Sequence, residues 1–437
     1  MNDPPVYLSK PGLICCAGKN REEFFAAALR GDRRGLVPLT VNAAGTTRNF
    51  LVGRAVPDSP GSPASSGSAA SAGLAASPAR TGTSRLLGLC AGALEQIRPV
   101  VEKALKRWGP DRIGVCAGSC DNGTEWSLSA HRRFFKTGAF PGDYKLPLQG
   151  AAAPAEYTAE FFGLRGPVLA LATACASGAT AIIRGAELIL SGICDAVVAG
   201  GADIASDMVL LGFTALEAVS PEPGNPFSKN RRGINLGEGA AFFVLTREKL
   251  EEPGIMLAGY GESADGHHIT APHPEGIGAA HAMERALRNG ALNPEDISYV
   301  NLHGTGTALN DRAEALAMGE IFGDRQPPAS SSKPITGHTL GAAGALELTL
   351  CWNALTEAAK GSDLPPHCWD GMQDPELPVL RLIPAGTAPA KTAKESTDPP
   401  PRPLVPGDKI RYCMSNSFAF GGCNVSLILG REKTSHG

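Results

Sequence analysis

One cysteine and two histidines are the residues best placed to do chemistry. Cys175 sits in TACASG (Thr173–Gly178), after the apolar run VLALA, and the motif opens a stretch with helical apolar spacing, AIIRGAELIL. A thiol there lies at a helix N-terminus. Free backbone N–H groups and the positive end of the helix dipole favour thiolate, so a pKa below the ordinary value of about 8.5 is expected. His303 in LHGTGT follows the strand-like SYVNL, and His338 in KPITGHTLGAAGALE precedes a helix of small residues. Each imidazole is set at the end of an element in a stiff Gly/Thr frame, where a scaffold can aim it into a pocket. A nucleophilic thiol with paired imidazole donors suits covalent acyl transfer and stabilisation of an enolate at a thioester carbonyl.

The elements that must hold these groups alternate between two types. Short β-rich runs (Ile113–Ala117, Val168–Ala172, Ala196–Gly200, Ala241–Leu245, Ile255–Tyr260, Ile297–Leu302, Tyr412–Met414, Val425–Leu429) are separated by helix-period stretches such as Gly178–Leu190, Ala279–Asn289 and Asp311–Ile321. Alternation of this kind predicts an α/β fold with largely buried sheets, and 437 residues are enough for two such units. Two segments break the pattern. Residues 57–84 and 384–407, rich in Pro, Ala, Ser and Thr, carry too few large apolar side chains to offset the entropy of ordering them and read as surface insertions.

Composition narrows the function. A chain that is 43 % apolar and 19 % charged has the balance of a soluble globular protein. A net charge of −3 gives no footprint for a dedicated nucleic-acid binder. The uncharged stretches Gly166–Ile183 and Tyr412–Gly430 are interrupted by Gly, Pro, Ser and Asn, and read as buried strands and turns, so no membrane partner is expected. Eleven scattered cysteines without C-x-x-C spacing, and no basic-then-apolar leader, point to a reducing cytoplasm. His267, His268 and His273 share a Gly/Pro loop without ligand spacing, so no metal is expected there. The basic run Arg132, Arg133 and Lys136 is either a solvated face or a docking patch for an acidic partner.

TACASG, VVAGGAD, PFSKNRRGINLGEGA, HGTGTALNDRAEA, SKPITGHTLGAAGALE and SNSFAFGGCN follow the order of motifs in decarboxylating β-ketoacyl-[acyl carrier protein] synthases of the thiolase-like superfamily, which the chain resembles from about residue 6 to residue 430. The resemblance implies two similar α/β halves, residues 1–250 and 251–437, in a five-layer αβαβα arrangement. It implies a dimer, either of identical chains or with a related subunit, and an acyl carrier protein as partner. Cys175 then takes the acyl group, and His303 and His338 drive malonyl decarboxylation. Lys333 and Glu347 are the supporting charged pair, and the backbone N–H groups of Cys175 and Phe420 form the oxyanion hole. Thr305, Thr307 and Thr270 bind the phosphopantetheine arm carried by the substrate, while Phe418, Phe420 and Asp121 line the substrate space. No catalytic cofactor is implied, but a structural monovalent cation beside Asn301 and Glu347 is.

A second histidine at 338 points to the elongating type, and Cys175 argues against a non-catalytic chain-length-factor role. That role, and an acyltransferase or hydrolase that never condenses, remain the alternatives. In family terms Asp311 and Glu314 are braces for the HGTGT loop. Asp121, in a loop where relatives carry Gly or apolar residues, predicts a short, polar, aryl or polyunsaturated acyl group in preference to a long saturated one, because an unpaired buried carboxylate is costly. Ala419 stands where relatives have Gly, which shifts gate motion to Gly421 and Gly422.

Overall fold

The computed structural model describes residues 4–43, 46–55, 84–121, 123–142, 144–357, 363–384 and 410–432. The two expected insertions lie outside these residues except for Ser84 and Pro384. The strands are β1 (Tyr7–Leu8), β2 (Gly12–Cys15), β3 (Leu36–Ala43), β4 (Thr46–Gly53), β5 (Ile113–Gly118), β6 (Val168–Leu171), β7 (Ala196–Asp203), β8 (Gly239–Thr246), β9 (Ile255–Ala264), β10 (Ile297–Asn301), β11 (Ala329–Ser330), β12 (Tyr412–Phe418) and β13 (Cys423–Arg431). The helices are α1 (Arg21–Arg30), α2 (Arg85–Trp108), α3 (Thr124–Thr137), α4 (Ala153–Phe162), α5 (Ser177–Leu190), α6 (Asp207–Ala215), α7 (Ile277–Asn289), α8 (Ala308–Phe322), α9 (Lys333–Thr336) and α10 (Ala343–Glu357).

One strand order occurs twice. The first sheet runs β6-β5-β7-β8-β2 and the second β11-β10-β12-β13-β9. Directions repeat as well: β5 is parallel to β6 and β7, β10 is parallel to β11 and β12, and the remaining pairs are antiparallel. β1 pairs with both β8 and β9 and so joins the sheets into one hydrogen-bonded path.

Apolar pattern sorts the helices into layers. In α10 every residue from Ala343 to Thr356 is buried, and α5 is buried over most of its surface. Helices apolar nearly all round must lie in the interior, and these two pack between the sheets, in a core that joins Val197 and Phe243 to Val425 and Leu427. α2 and α4 cover the outer face of the first sheet, and α7 and α8 that of the second. The result is the expected five layers.

The central helices can cross closely only because small residues meet at their N-termini. A Cβ on Gly178 would stand 2.8 Å from the Gly341 carbonyl oxygen, and one on Gly344 would stand 2.7 Å from Ala179 Cβ. The two starts are copies of one turn. TACASG and TLGAAG (Thr339–Gly344) each form a 3₁₀ turn, Ala174–Ala176 and Leu340–Ala342, before α5 and α10. Ala174 and Leu340 hold the same left-handed backbone, φ 48° and 54°, a conformation that costs a non-glycine residue about 1–3 kcal/mol. The repeat is visible in the sequence, where TACASG and TLGAAG share Thr, Ala and Gly in register.

Candidate active site

Cys175, His303 and His338 line one cavity of about 430 Å³, together with Thr270, Thr305, Thr307, Phe418, Ala419 and Phe420. The loop order of the two sheets brings them together. Cys175 belongs to the turn that heads α5, and His303 follows β10. His338 stands between α9 and α10, held by its backbone: its N–H donates to the Asn235 carbonyl at 2.7 Å, and its carbonyl accepts from Gly237 N–H at 2.9 Å. The GINLGEGA segment therefore sets the position of the second histidine.

A buried charged pair lies behind the histidines. Lys333 Nζ donates to Glu347 Oε1 at 2.5 Å and to His303 Nδ1 at 3.3 Å. Because Nδ1 accepts, His303 carries its proton on Nε2. The two imidazoles stand edge to face with centroids 5.3 Å apart, and both ring nitrogens of His338 are buried without a partner. Burial, reinforced by the Lys333 charge, holds both histidines well below the ordinary imidazole range. They are neutral donors at neutral pH. Burial also raises the Glu347 carboxyl, against the pull of Lys333.

The Cys175 thiol departs from the expectation. Burial pushes it up to about 12, and the opposing pulls of the Lys333 charge and the Phe420 backbone N–H do not compensate. The helix N-terminus is present, but Cys175 is buried, 5 % exposed as a residue, so desolvation outweighs the dipole. The Phe420 N–H is directed at this sulfur, where an oxyanion donor is needed.

Thr305 and Thr307 hydroxyls lie 3.0 Å apart, and Thr270 Oγ1 is 3.3 Å from His268 Nδ1. Asp311 and Glu314 brace the loop: Glu314 accepts from the N–H groups of His303 (2.8 Å) and Gly304 (2.7 Å), and Asp311 from those of Gly306 (3.0 Å) and Phe227 (2.7 Å). Burial raises these carboxyls, to about 7 for Glu314 and about 6 for Asp311.

Asp121 corrects a second expectation. It is buried but not unpaired, and it is absent from the cavity lining. Its carboxylate accepts from Thr124 Oγ1 at 2.6 Å and Gly123 N–H at 2.7 Å, at the turn that leads into α3. The polar acyl group inferred from it loses its support. Asp203, which sequence reasoning missed, gathers the same region: it accepts from Ser119 Oγ (3.1 Å) and the N–H groups of Cys120 (2.9 Å), Asp121 (2.8 Å) and Gly341 (2.6 Å). Its place at the end of VVAGGAD was the available signal. Asn122 lies outside the described residues.

Arg132, Arg133 and Lys136 lie exposed on α3, away from the cavity lining. No group of three His, Cys, Asp or Glu among the described residues could hold a metal, the His267–His273 loop included. No described helix is long and apolar enough to cross a membrane.

Comparison with known proteins fits this geometry. Residues 89–251 match the model of the beta-ketoacyl synthase N-terminal domain, and residues 255–363 match that of the C-terminal domain. The chain belongs to the β-ketoacyl synthase family. The synthase is 35 % identical over 337 residues to 3-oxoacyl-[acyl-carrier-protein] synthase 2 of Vibrio cholerae, covering 73 % of this chain and 76 % of the relative. It is 35 % identical over 329 residues to nodulation protein E of Rhizobium meliloti, covering 72 % and 75 %. Among solved structures it is similar to a ketosynthase in complex with its chain length factor from Xenorhabdus doucetiae, with TM-score 0.82, 36 % identity and 98 % of each chain covered. The synthase is an acyl-transferring condensing enzyme of fatty-acid or polyketide elongation.

Proposed function

We propose that the cavity performs decarboxylative condensation with the roles divided as follows. Cys175 attacks an acyl thioester on a carrier. The new C–S bond forms as the carrier C–S bond breaks, and the proton leaves on the carrier thiol. Malonyl-carrier then takes the cavity and loses CO₂. His303 Nε2–H and His338 donate to the thioester oxygen as the enolate forms, and the enolate carbon attacks the acyl carbonyl. The oxyanion is met by the N–H groups of Phe420 and Cys175, and Cys175 departs as thiolate. The product is a β-ketoacyl-carrier two carbons longer. The observation that carries this reading is the Lys333 bridge between Glu347 and His303. It fixes one histidine as an Nε2–H donor beside a second whose nitrogens are buried and unpartnered. The test is intact-protein mass spectrometry after incubation with acyl-carrier: the parent should gain one acyl group and Cys175→Ala none.

The remaining assignments belong to the same proposal. Thr305, Thr307 and Thr270 hold the phosphopantetheine arm, with Phe418 and Phe420 against the acyl end. Arg132, Arg133 and Lys136 dock the acidic carrier, beside Phe135, which is 82 % exposed. The halves 1–250 and 251–437 are the two duplicated units, supported by their repeated strand order. Pairing into a dimer uses β6, the outer strand of the first sheet, whose Val168 and Leu169 are exposed. An unpaired apolar edge invites another strand. The partner is a second copy or a related subunit, which mixing experiments with mass photometry would separate. Eleven free thiols support a reducing, cytoplasmic setting.

The orphaned oxygens beside the charged pair fit a structural monovalent cation. Asn301 Oδ1, Ser332 Oγ, Ser415 Oγ and Glu347 Oε2 are buried with no partner in hydrogen-bond geometry, although the Asn301 and Ser332 side chains lie close enough to Glu347 to help lower its carboxyl, and Asn301 pairs with Ser415 across β10 and β12. One carboxylate already shared with Lys333 offers little charge for a divalent ion. When bound, such a cation supplies charge balance to Glu347 and takes no part in the chemical steps.

A further inference from the structure

His367 is a buried imidazole that the mechanism above leaves without a role. It is fully buried, and its backbone N–H donates to the Ile383 carbonyl at 2.8 Å. Its Nδ1 lies 3.2 Å from Ser331 N, and its Nε2 lies 3.0 Å from the Pro226 carbonyl oxygen. A backbone N–H can only donate and a carbonyl can only accept. The ring must therefore be neutral with its proton on Nε2. Burial lowers its pKa to about 4, the Arg33 guanidinium adding to the effect, and Phe227 and Trp369 pack against it with centroids 5.9 and 5.6 Å away.

Both partners of this ring lead to the catalytic groups. Ser331 Oγ donates to the Gly304 carbonyl at 2.9 Å, one residue from His303, and accepts from Lys333 N–H at 3.3 Å. Pro226 precedes Phe227, whose N–H is held by Asp311, the carboxylate that also holds Gly306. One imidazole thus ties the turn that carries Lys333 to the segment that braces the HGTGT loop.

We propose that His367 is a positioning residue that sets the distance between Lys333 and His303. The assignment rests on the decarboxylating role given above to His303. A relaxed Lys333 turn has a specific signature: His303 loses the Nδ1 partner that fixes its Nε2–H donor, so decarboxylation falls while acyl loading is largely spared. Glu347 and His338, which also face this pair, are unchanged. Acyl loading of Cys175 does not depend on the His303 donor.

The experiment compares parent, His367→Phe and His367→Gln for malonyl-carrier decarboxylation and for acyl loading of Cys175. His367→Phe keeps a flat ring, somewhat larger than the imidazole, and removes both hydrogen bonds. Its decarboxylation kcat should fall about tenfold to hundredfold, the effect of misplacing a reacting group by about 1 Å, with KM and loading within about threefold of the parent. His367→Gln, with an acceptor and an N–H donor on one flat group, should recover most of the rate. If the phenylalanine variant does not fold, His367→Asn, which keeps an acceptor towards Ser331 but falls short of Pro226, carries the same comparison in milder form. A decarboxylation kcat within about threefold of the parent in the folded phenylalanine variant, or equal losses of loading and decarboxylation, overturns the assignment. A parent that loads acyl groups but releases no CO₂ overturns the proposed function and this assignment with it.

Discussion

Lys333 Nζ stands 3.3 Å from His303 Nδ1, inside a core where neither side chain reaches solvent. The same ammonium binds Glu347. It locks the histidine tautomer, adds to the burial that holds the imidazole neutral, and provides the charge that offsets Glu347. Removing it should act on chemistry and stability by separable routes. Lys333→Met leaves Glu347 as an unpaired buried carboxylate and should destabilise the protein by about 3–5 kcal/mol. Lys333→Met combined with Glu347→Gln should recover much of the melting temperature but not decarboxylation. Recovery of both would show that the lysine serves folding alone.

His303→Ala and His338→Ala should each reduce malonyl decarboxylation by about 10²-fold or more, the usual effect of losing one donor to a developing oxyanion. Acyl loading of Cys175 should suffer less in both. Losses of the same size in the two half-reactions would mean that the roles are not divided as proposed.

The pH dependence of Cys175 separates burial from the helix dipole. A thiol near 12 has its thiolate fraction still rising across pH 7–10, because deprotonation increases with pH until the pKa is passed. Alkylation of Cys175 by iodoacetamide should therefore accelerate about tenfold per pH unit over this range. A plateau below pH 8 would show that the helix N-terminus outweighs desolvation after all.

In the SFAFGG segment, Ala419 is extended, φ −111° and ψ 157°, a conformation open to any residue, whereas Gly421 and Gly422 have φ 81° and 76°. Gly421→Ala should slow acyl loading across all chain lengths, because alanine is strained at that φ. Ala419→Gly should cost about 0.5–1 kcal/mol through the unfolded chain, and its loading profile should stay close to that of the parent. The measurement is loading rate against acyl length in the three proteins. A broader donor range in Ala419→Gly would assign the restraint to Ala419.

Reversal of Arg132, Arg133 and Lys136 to Glu should raise KM for carrier-bound substrates at low salt and leave small thioester mimics unaffected, because steering by exposed charges is screened within about 10 Å at 0.1 M salt. Unchanged carrier kinetics at low salt would make this face of α3 a solvated surface only.

The part of the site that was legible in the sequence was the part written as ordered motifs. TACASG, HGTGT and SKPITGH give residue types whose chemistry depends little on context, and the strand-period runs around them locate the sheets. Four residues depend on burial or on distant partners. Cys175 was expected to favour thiolate because a sequence shows the helix start but not the loss of water around the sulfur. Asp121 was expected in the acyl space because its partners, the Thr124 hydroxyl and the Gly123 N–H, matter only once α3 begins there. His367 carries no motif and Asp203 only closes VVAGGAD, and each acquires its importance from contacts made across the fold. The matching turns at Ala174 and Leu340 were readable, since TACASG and TLGAAG share Thr, Ala and Gly in register.

The central claim is that one cavity both carries an acyl group on Cys175 and condenses it with a decarboxylated malonyl unit. Mass spectrometry of the carrier after mixing acyl-carrier, malonyl-carrier and enzyme tests it most directly. The parent should yield a β-ketoacyl-carrier longer by two carbons with one CO₂ released per product, and Cys175→Ala should yield none. Undiminished product from Cys175→Ala, or acylated parent enzyme that releases free acid and never the extended ketoacyl-carrier, would contradict it.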